Sequence, residues 1–396
     1  MKKCVLGDIC TKIGSGATPT GGRAAYAEEG VSLIRSQNVL DLTFSYGGLA
    51  YLNDSQADKL KSVAVQPNDV LLNITGDSVA RSCMVDEKVL PARVNQHVAI
   101  VRVKKEVANP YYIMLWLVWQ KKRLLLLASN GATRHALTKE MIEELPIDLP
   151  TLAEQSKIAL LLSTIDRKIA LNRKRIATLE AMAKEIYDYW FVQFDFPDAH
   201  GRPYKSSGGA MVYNPDLKRE IPKGWEVKRI GDVLSKIPST EKVPTVNYSD
   251  IGIIPIIDQS EKFIAGYTDN DAAALDLKSC VVFGDHSCTV KYVNFRFARG
   301  ADGTQILHSN TPLIDDTQLY FTLLGMDFDE GYKRHFSALK DKLLVISSDA
   351  SLTKKYMSVV DVIFAQIRAL RQMSNMLVAF RDFLLPVLMN GQVKVG

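Results

Sequence analysis

The sequence predicts an α+β protein in which two similar mixed α/β units are joined by two long antiparallel coiled-coil helices with pseudo-twofold symmetry. Three observations predict it: matched segments in the two halves, two long heptad patterns, and strand-like runs interleaved with short helical ones. Repeats are sought first, because a missed repeat misassigns the whole architecture.

Leu6-Gly7-Asp8-Ile9-Cys10-Thr11-Lys12-Ile13 matches Ile230-Gly231-Asp232-Val233-Leu234-Ser235-Lys236-Ile237 at an offset of 224. Residues 71–77 close an apolar strand-like run with Gly76-Asp77, and residues 280–285 do so with Gly284-Asp285, at offset 208. Gly131-Ala132-Thr133-Arg134-His135 faces Gly331-Tyr332-Lys333-Arg334-His335 at offset 200. The order is kept while the offset falls, as in two copies of which the second has lost loop residues.

Each copy runs into a long helical pattern. Ile158, Leu162, Ile165, Ile169, Asn172, Ile176, Leu179, Ala183, Ile186 and Trp190 alternate four and three apart over more than four heptads, a coiled-coil seam. Thr151 as N-cap and Glu154 three positions on form a capping box. The second seam is Tyr356, Val360, Ile363, Ile367, Leu370, Ser374, Leu377, Arg381, Leu384 and Leu388, at offset 198, with Asp349 or Ser351 as its cap. Pro386 predicts a kink or an end, and Asn390-Gly391 a stop. Asn172 at a seam position fixes register at some cost in stability.

A mostly apolar seam needs a partner. The nearest is the other helix of the same chain, and the alternative is the same seam in a second chain. Residues 195–224 carry Pro197, Pro203, Pro215 and Pro222 around Ser206-Ser207-Gly208-Gly209, a composition for an extended linker. One helix over residues 151–190 extends roughly 60 Å at about 1.5 Å per residue, so the second copy starts at its far end and the second helix returns antiparallel. The predicted organisation is a first unit at 1–150, a long helix at 151–194, a linker at 195–224, a second unit at 225–348, and a second helix with tail at 349–396. Strand-like runs at 70–74, 98–103, 147–149, 253–257, 281–283 and 343–346, with helical stretches at 111–127 and 316–324, make each unit mixed.

Composition fits a globular chain. Its 396 residues hold 49 Lys+Arg against 44 Asp+Glu, a surplus of +5, with 47% hydrophobic and 23% charged residues, which excludes a disordered or fibrous protein. The longest apolar runs, 111–119 and 124–128, are broken by Gln120-Lys121-Lys122-Arg123, far short of the ~20 residues a membrane span needs. The opening Met1-Lys2-Lys3 reaches Asp8 before any apolar run, so no secretory leader and a cytoplasmic location are expected. Five scattered cysteines suit free thiols in a reducing compartment. Cys280, His286 and Cys288 lack the spacing of a zinc site, so no metal is expected.

Catalytic signatures are missing. There is no GxxxxGK[ST] loop, and Gly14-Ser15-Gly16-Ala17-Thr18-Pro19 has proline where a dinucleotide loop needs its third glycine. Asn109-Pro110-Tyr111-Tyr112 lacks the second proline of an amino-methyltransferase signature and reads as a strand-to-helix turn. Asp77 and Asp285 lack the Glu-x-Lys of a metal nuclease and read as turn residues.

Leu145-Pro146-Ile147-Asp148-Leu149-Pro150-Thr151-Leu152-Ala153-Glu154-Gln155-Ser156-Lys157-Ile158-Ala159 resembles the Pro-x-Leu-x-Glu-Gln-x-x-Ile-Ala approach to the first helix of type I restriction-modification specificity subunits. Tyr204-Lys205-Ser206-Ser207-Gly208-Gly209, Glu220-Ile221-Pro222-Lys223-Gly224-Trp225 and Leu6-Gly7-Asp8 are likewise similar. The second helix departs, with no Glu-Gln pair before Val360. The resemblance implies two target-recognition domains, each reading half of a split site in double-stranded DNA, with the helices as a ruler. It also implies two modification (methyltransferase) subunits and restriction/motor subunits as partners, and no catalytic site or cofactor in this chain. S-adenosylmethionine would sit on the methyltransferase, and ATP and magnesium on the motor. The competing reading is a non-DNA pseudo-symmetric scaffold holding two copies of a protein partner.

Arg, Asn and Gln read base edges best. The candidates in the first unit are Thr20, Arg23, Arg35, Gln37, Asn38, Arg81, Gln96, Arg134 and His135. In the second they are Lys242, Gln259, His286, Lys291, Gln305, Arg334 and His335. The repeated Arg-His pair is the strongest, because it recurs before the approach to each helix.

Overall fold

The computed structural model describes residues 2–19, 26–129, 136–238, 240–300, 303–328 and 335–395. The chain packs as two units, Met1–Leu171 with Ser374–Gly396, and Asn172–Met373. Each long helix contributes to both, so the boundaries differ from those the sequence suggests. The reason is that the halves of each seam are buried in different cores. Ile158, Leu162, Ile165 and Ile169 share a cluster with Leu385, Leu388 and Met389. Ala183 shares another with Tyr356, Val360, Ile363 and Ile367.

Every seam position predicted on the first helix, Leu152–Tyr187, is buried or half-buried, including Asn172. Thr151 caps it as expected: its Oγ1 accepts from Glu154 N at 3.3 Å, and its own N donates to Glu154 Oε2 at 3.0 Å. Gln155, fully buried, explains its place in the motif. Its amide donates to Val107 O and Pro150 O, and its oxygen accepts from Asn109 N. The second helix, Ala350–Met389, puts Thr353 there, whose hydroxyl donates to Leu313 O at 2.9 Å. A different side chain therefore does the same tethering. Asp349 caps this helix through Ser351 N at 2.8 Å. The helix continues past Pro386 to Met389, so the stop is at Asn390-Gly391, with Gly391 at φ 74.

The duplication holds at backbone level. In the first unit Lys2–Val5 pairs antiparallel with Pro146–Leu149, and in the second Glu226–Arg229 pairs with Leu343–Ile346. Each opening strand leads into a 3-10 turn, Leu6–Ile9 or Ile230–Val233, closed by Leu6 N to Leu145 O or Ile230 N to Lys342 O, both at 2.9 Å. The glycine in each turn sits at a close approach: a β-carbon on Gly7 or Gly231 would stand 3.2 Å from that of Glu143 or Lys340, so the neighbour would have to give by a few tenths of an ångström. Val70–Asn73 lies between Val98–Val103 and Ser82–Met84, as Cys280–Gly284 lies between Thr304–Leu307 and Val290–Val293. The second sheets pair Val31–Ile34 parallel with Ala92–Val94, and Ile254–Ile257 parallel with Phe297–Arg299.

Asn109 caps the helix Pro110–Trp119 through Tyr112 N, confirming the strand-to-helix turn. The segment read as an extended linker is folded instead. Met211–Asn214 and Arg219–Pro222 form a hairpin, Asp195 accepts from Ser206, and Phe196 stacks on Tyr204 and Trp225. Prolines break helices here without preventing an aromatic core. Among the described residues no helix is long and apolar enough to cross a membrane.

Candidate nucleic-acid interface

In each unit three loops meet at one end of the strands, held by the same backbone hydrogen bonds. In the first, Asn95 N donates to Ile34 O, Ile74 N to His97 O, and Leu137 N to Ile74 O, at 3.0, 3.0 and 2.8 Å. In the second, Gly300 N donates to Ile257 O, Asp285 N to Gly303 O, and His335 N to Asp285 O, at 2.9, 2.7 and 3.2 Å. The pattern aligns Ile34 with Ile257, Ile74 with Asp285 and Leu137 with His335. Two sequence matches are thereby corrected: Asp285 corresponds to Ile74, not Asp77, and His335 to Leu137, not His135. Short polar motifs recur within a few residues by chance, whereas hydrogen bonds pin the register. The falling offset survives, from 224 at Leu6/Ile230 to 197 at Leu145/Lys342.

Thr20, Arg23, Arg134, His135 and Arg334 lie outside the described residues. The other first-unit candidates gather at the three-loop end. Arg35 is half-buried, with its guanidinium bonded to Gly48 O and 5.2 Å from the Tyr26 ring centre. Gln37 is exposed and donates to Gly47 O and Gly48 O. Asn38 is corrected as a contact: it is fully buried, donating to Ser45 O and Gly47 O and accepting from Arg35 N. It shapes the loop that presents Gln37. Asn73 joins that loop to the strand end through Ser36 O and Val39 O. Arg81 is half-buried, and exposed Gln96 accepts from Thr18. His97, which sequence reading passed over, bonds Thr75; its place beside Asn95-Gln96 was the available signal.

In the second unit Gln259, His286 and His335 converge. Gln259 Oε1 accepts from His286 N at 3.2 Å, and its backbone O from Ser287 Oγ at 2.6 Å. Asp285, nearly buried, accepts from Phe336 N at 2.8 Å and thereby caps the helix His335–Asp341. His286 and Lys242 are exposed, and Gln305 is half-buried on its strand. Lys291 is the second correction: it is 5% exposed, and its Nζ donates to Asp258 O and Lys262 O. Burial pulls its ammonium below the ordinary lysine value, against the opposing pull of Asp258. A cation so enclosed cannot reach a duplex.

The two ends thus present side-chain amides and an imidazole, Gln37 and Gln96 in one and His286 beside Gln259 in the other, on loops fixed by a rigid scaffold. Such groups donate to and accept from base edges. Among the described residues no group of three or more His, Cys, Asp or Glu could hold a metal ion.

Duplicated α+β units, each continuing into a long helix, define the class of fold. Residues 1–181 match the family described as type I restriction modification DNA specificity domain. The type I restriction enzyme MjaIX specificity subunit of Methanocaldococcus jannaschii is 35% identical over 154 residues, covering 39% of this chain and 33% of that protein. The putative type I restriction enzyme MjaX specificity subunit of the same organism is 23% identical over 228 residues, covering 56% and 51%. The match thus spans a third to a half of these relatives. A crystal structure of a type I restriction-modification system S subunit from M. genitalium covers 98% of this chain and 95% of its own, with TM-score 0.58 at 14% identity, so the fold is shared.

Proposed function

We propose that the chain is the DNA-specificity subunit of a type I restriction-modification enzyme, and that each three-loop end reads one half of a two-part site in double-stranded DNA. The observation that carries this reading is the duplicated hydrogen-bond frame under different exposed side chains. A constant frame with variable tips suits two half-sites of different sequence. Phosphate contacts would position each unit, and the amides and His286 would discriminate bases at about 1–3 kcal/mol per good bidentate contact.

The long helices would run antiparallel and set the gap between half-sites. Two ion pairs support this: Asp166 with Arg381, and Glu180 with Arg371, the second number falling as the first rises. The first helix, 36 residues, is about 54 Å long at 1.5 Å per residue, on the scale of one or more duplex turns. Two methyltransferase subunits and the restriction/motor subunits would assemble on this chain in the cytoplasm. Those partners would bring S-adenosylmethionine, ATP and magnesium, leaving this chain non-catalytic. Exposed Met376, Phe380 and Phe383, on one face of the second helix, support a protein-covered surface. A net charge of only +5 fits a complex in which partners supply much of the phosphate grip.

The test is to co-express the chain with its modification subunit and map methylated positions across a genome. A two-part motif with a fixed gap is expected; an uninterrupted motif, or none, overturns the proposal.

A further inference from the structure

Behind the three-loop end of the second unit is a small cavity of about 170 Å³, lined among others by Glu180, Phe263, Lys291, Tyr320 and Arg371. Its walls hold the loop of residues 258–264, which leaves the strand Ile254–Ile257 and carries Gln259. Lys291 Nζ donates to Asp258 O at 2.8 Å and to Lys262 O, so one ammonium ties both ends of the turn. The Asp258 carboxylate stands 3.9 Å away, and the Lys291 side chain is only 4% exposed. The next residue, Phe263, has the Arg371 guanidinium 3.8 Å from its ring centre. Arg371 is on the second long helix, and Glu180 on the first holds it at 2.7 Å. Gln259 is fixed from the other side by His286 N and Ser287 Oγ.

Desolvating an ammonium is costly, and here two carbonyls offset that cost. An enclosed lysine repays this through what it positions. The cation–π contact likewise needs the arginine held over the ring, and the Glu180 carboxylate accepts a hydrogen bond from it there. Lys291 is enclosed beyond the reach of a duplex, while Phe263 and Arg371 are half-buried against each other beside the loop that carries Gln259.

We infer that Lys291, Phe263 and Arg371 form a brace that sets the shape of the 258–264 loop and fastens it to the helices through Glu180, making them specificity-determining positioning residues for one half-site only. The inference rests on the DNA-reading function proposed above. It goes beyond that reading in tying base choice to the helices.

The full chain, co-expressed with its modification subunit, is compared with Lys291→Met, Phe263→Leu, Phe263→Tyr and Arg371→Ala variants by genome-wide methylation mapping. In Lys291→Met, Phe263→Leu and Arg371→Ala the same half-site is expected to lose about tenfold discrimination at one or more positions, the scale of one base contact. The other half-site and the gap stay unchanged, and Phe263→Tyr, which keeps the ring, restores wild-type choice. Arg371→Ala, at a partly exposed side chain, remains informative if Lys291→Met fails to accumulate. A two-part wild-type motif left intact by Lys291→Met, Phe263→Leu and Arg371→Ala, or weakened equally in both halves, overturns the brace alone. A wild type with no two-part motif overturns the functional reading as well.

Discussion

The two units use the same device differently. In the first, Asp166 and Arg381 are 17% and 14% exposed, and the Tyr111 hydroxyl donates to the same carboxylate at 2.5 Å. The pair is thereby anchored to the helix Pro110–Trp119, part of the core. In the second, Glu180 and Arg371 are 39% and 29% exposed, and the arginine carries the ring of a surface loop. A carboxylate–arginine link between two helices can therefore stiffen a core or hold a surface loop, depending on the third partner.

The largest difference should come from a charge pair described only in the first unit. Arg102 forms a two-pronged ion pair with fully buried Asp69, at 2.7 Å in each prong. Arg102→Ala strands the carboxylate and should cost about 3–5 kcal/mol. Hydrogen exchange on the full chain should show protection lost over residues 66–103 and kept in the second unit; equal loss in both would contradict the division. Next come the helix links. Asp166→Ala removes the acceptor of both Arg381 and Tyr111, at about 1.5–3 kcal/mol. Glu180→Ala breaks a more exposed, screened pair and should cost under about 1 kcal/mol. Denaturant titration ranks the two, and a reversed ranking would refute the argument from exposure.

A further effect, of about the same size as the last, depends on pH. Burial raises the Asp315 carboxyl to about 6, although Thr317 and Gln318 N hydrogen-bond it. A carboxyl raised on folding holds its proton more tightly in the native state, so its penalty is full at pH 7 and fades as pH falls through 6. Relative to Asp315→Asn, the wild type should gain about 1 kcal/mol between pH 7 and pH 5. Parallel melting curves for the two proteins across that range would refute it.

Much of this was legible in the sequence. The 4-3 spacing from Ile158 marked every buried seam position, because a helix repeats its faces on a fixed period. Leu343–Ile346 and Asp316–Leu324 fall where their patterns placed them. What failed was whatever depends on contacts distant in sequence. Lys291 looked like a DNA contact, yet it lies in Val290–Val293, whose apolar neighbours already hinted at burial. Asn38 looked like a free reader until the turn at 45–48 closed on it. The linker prolines marked breaks in helix, but the stack of Phe196 on Trp225 has no periodic signature. Arg371 was unreadable as a loop support, since 108 residues separate it from Phe263.

The pairing of each unit's opening strand with its closing strand has a consequence beyond stability. Chain enters and leaves each lobe side by side, through one narrow neck: Lys2–Val5 against Pro146–Leu149, and Glu226–Arg229 against Leu343–Ile346. Material added or deleted inside the neck would leave the strand pairing at its mouth unchanged, so the two units can differ in length and keep the same closure. A lobe built this way is an exchangeable cartridge.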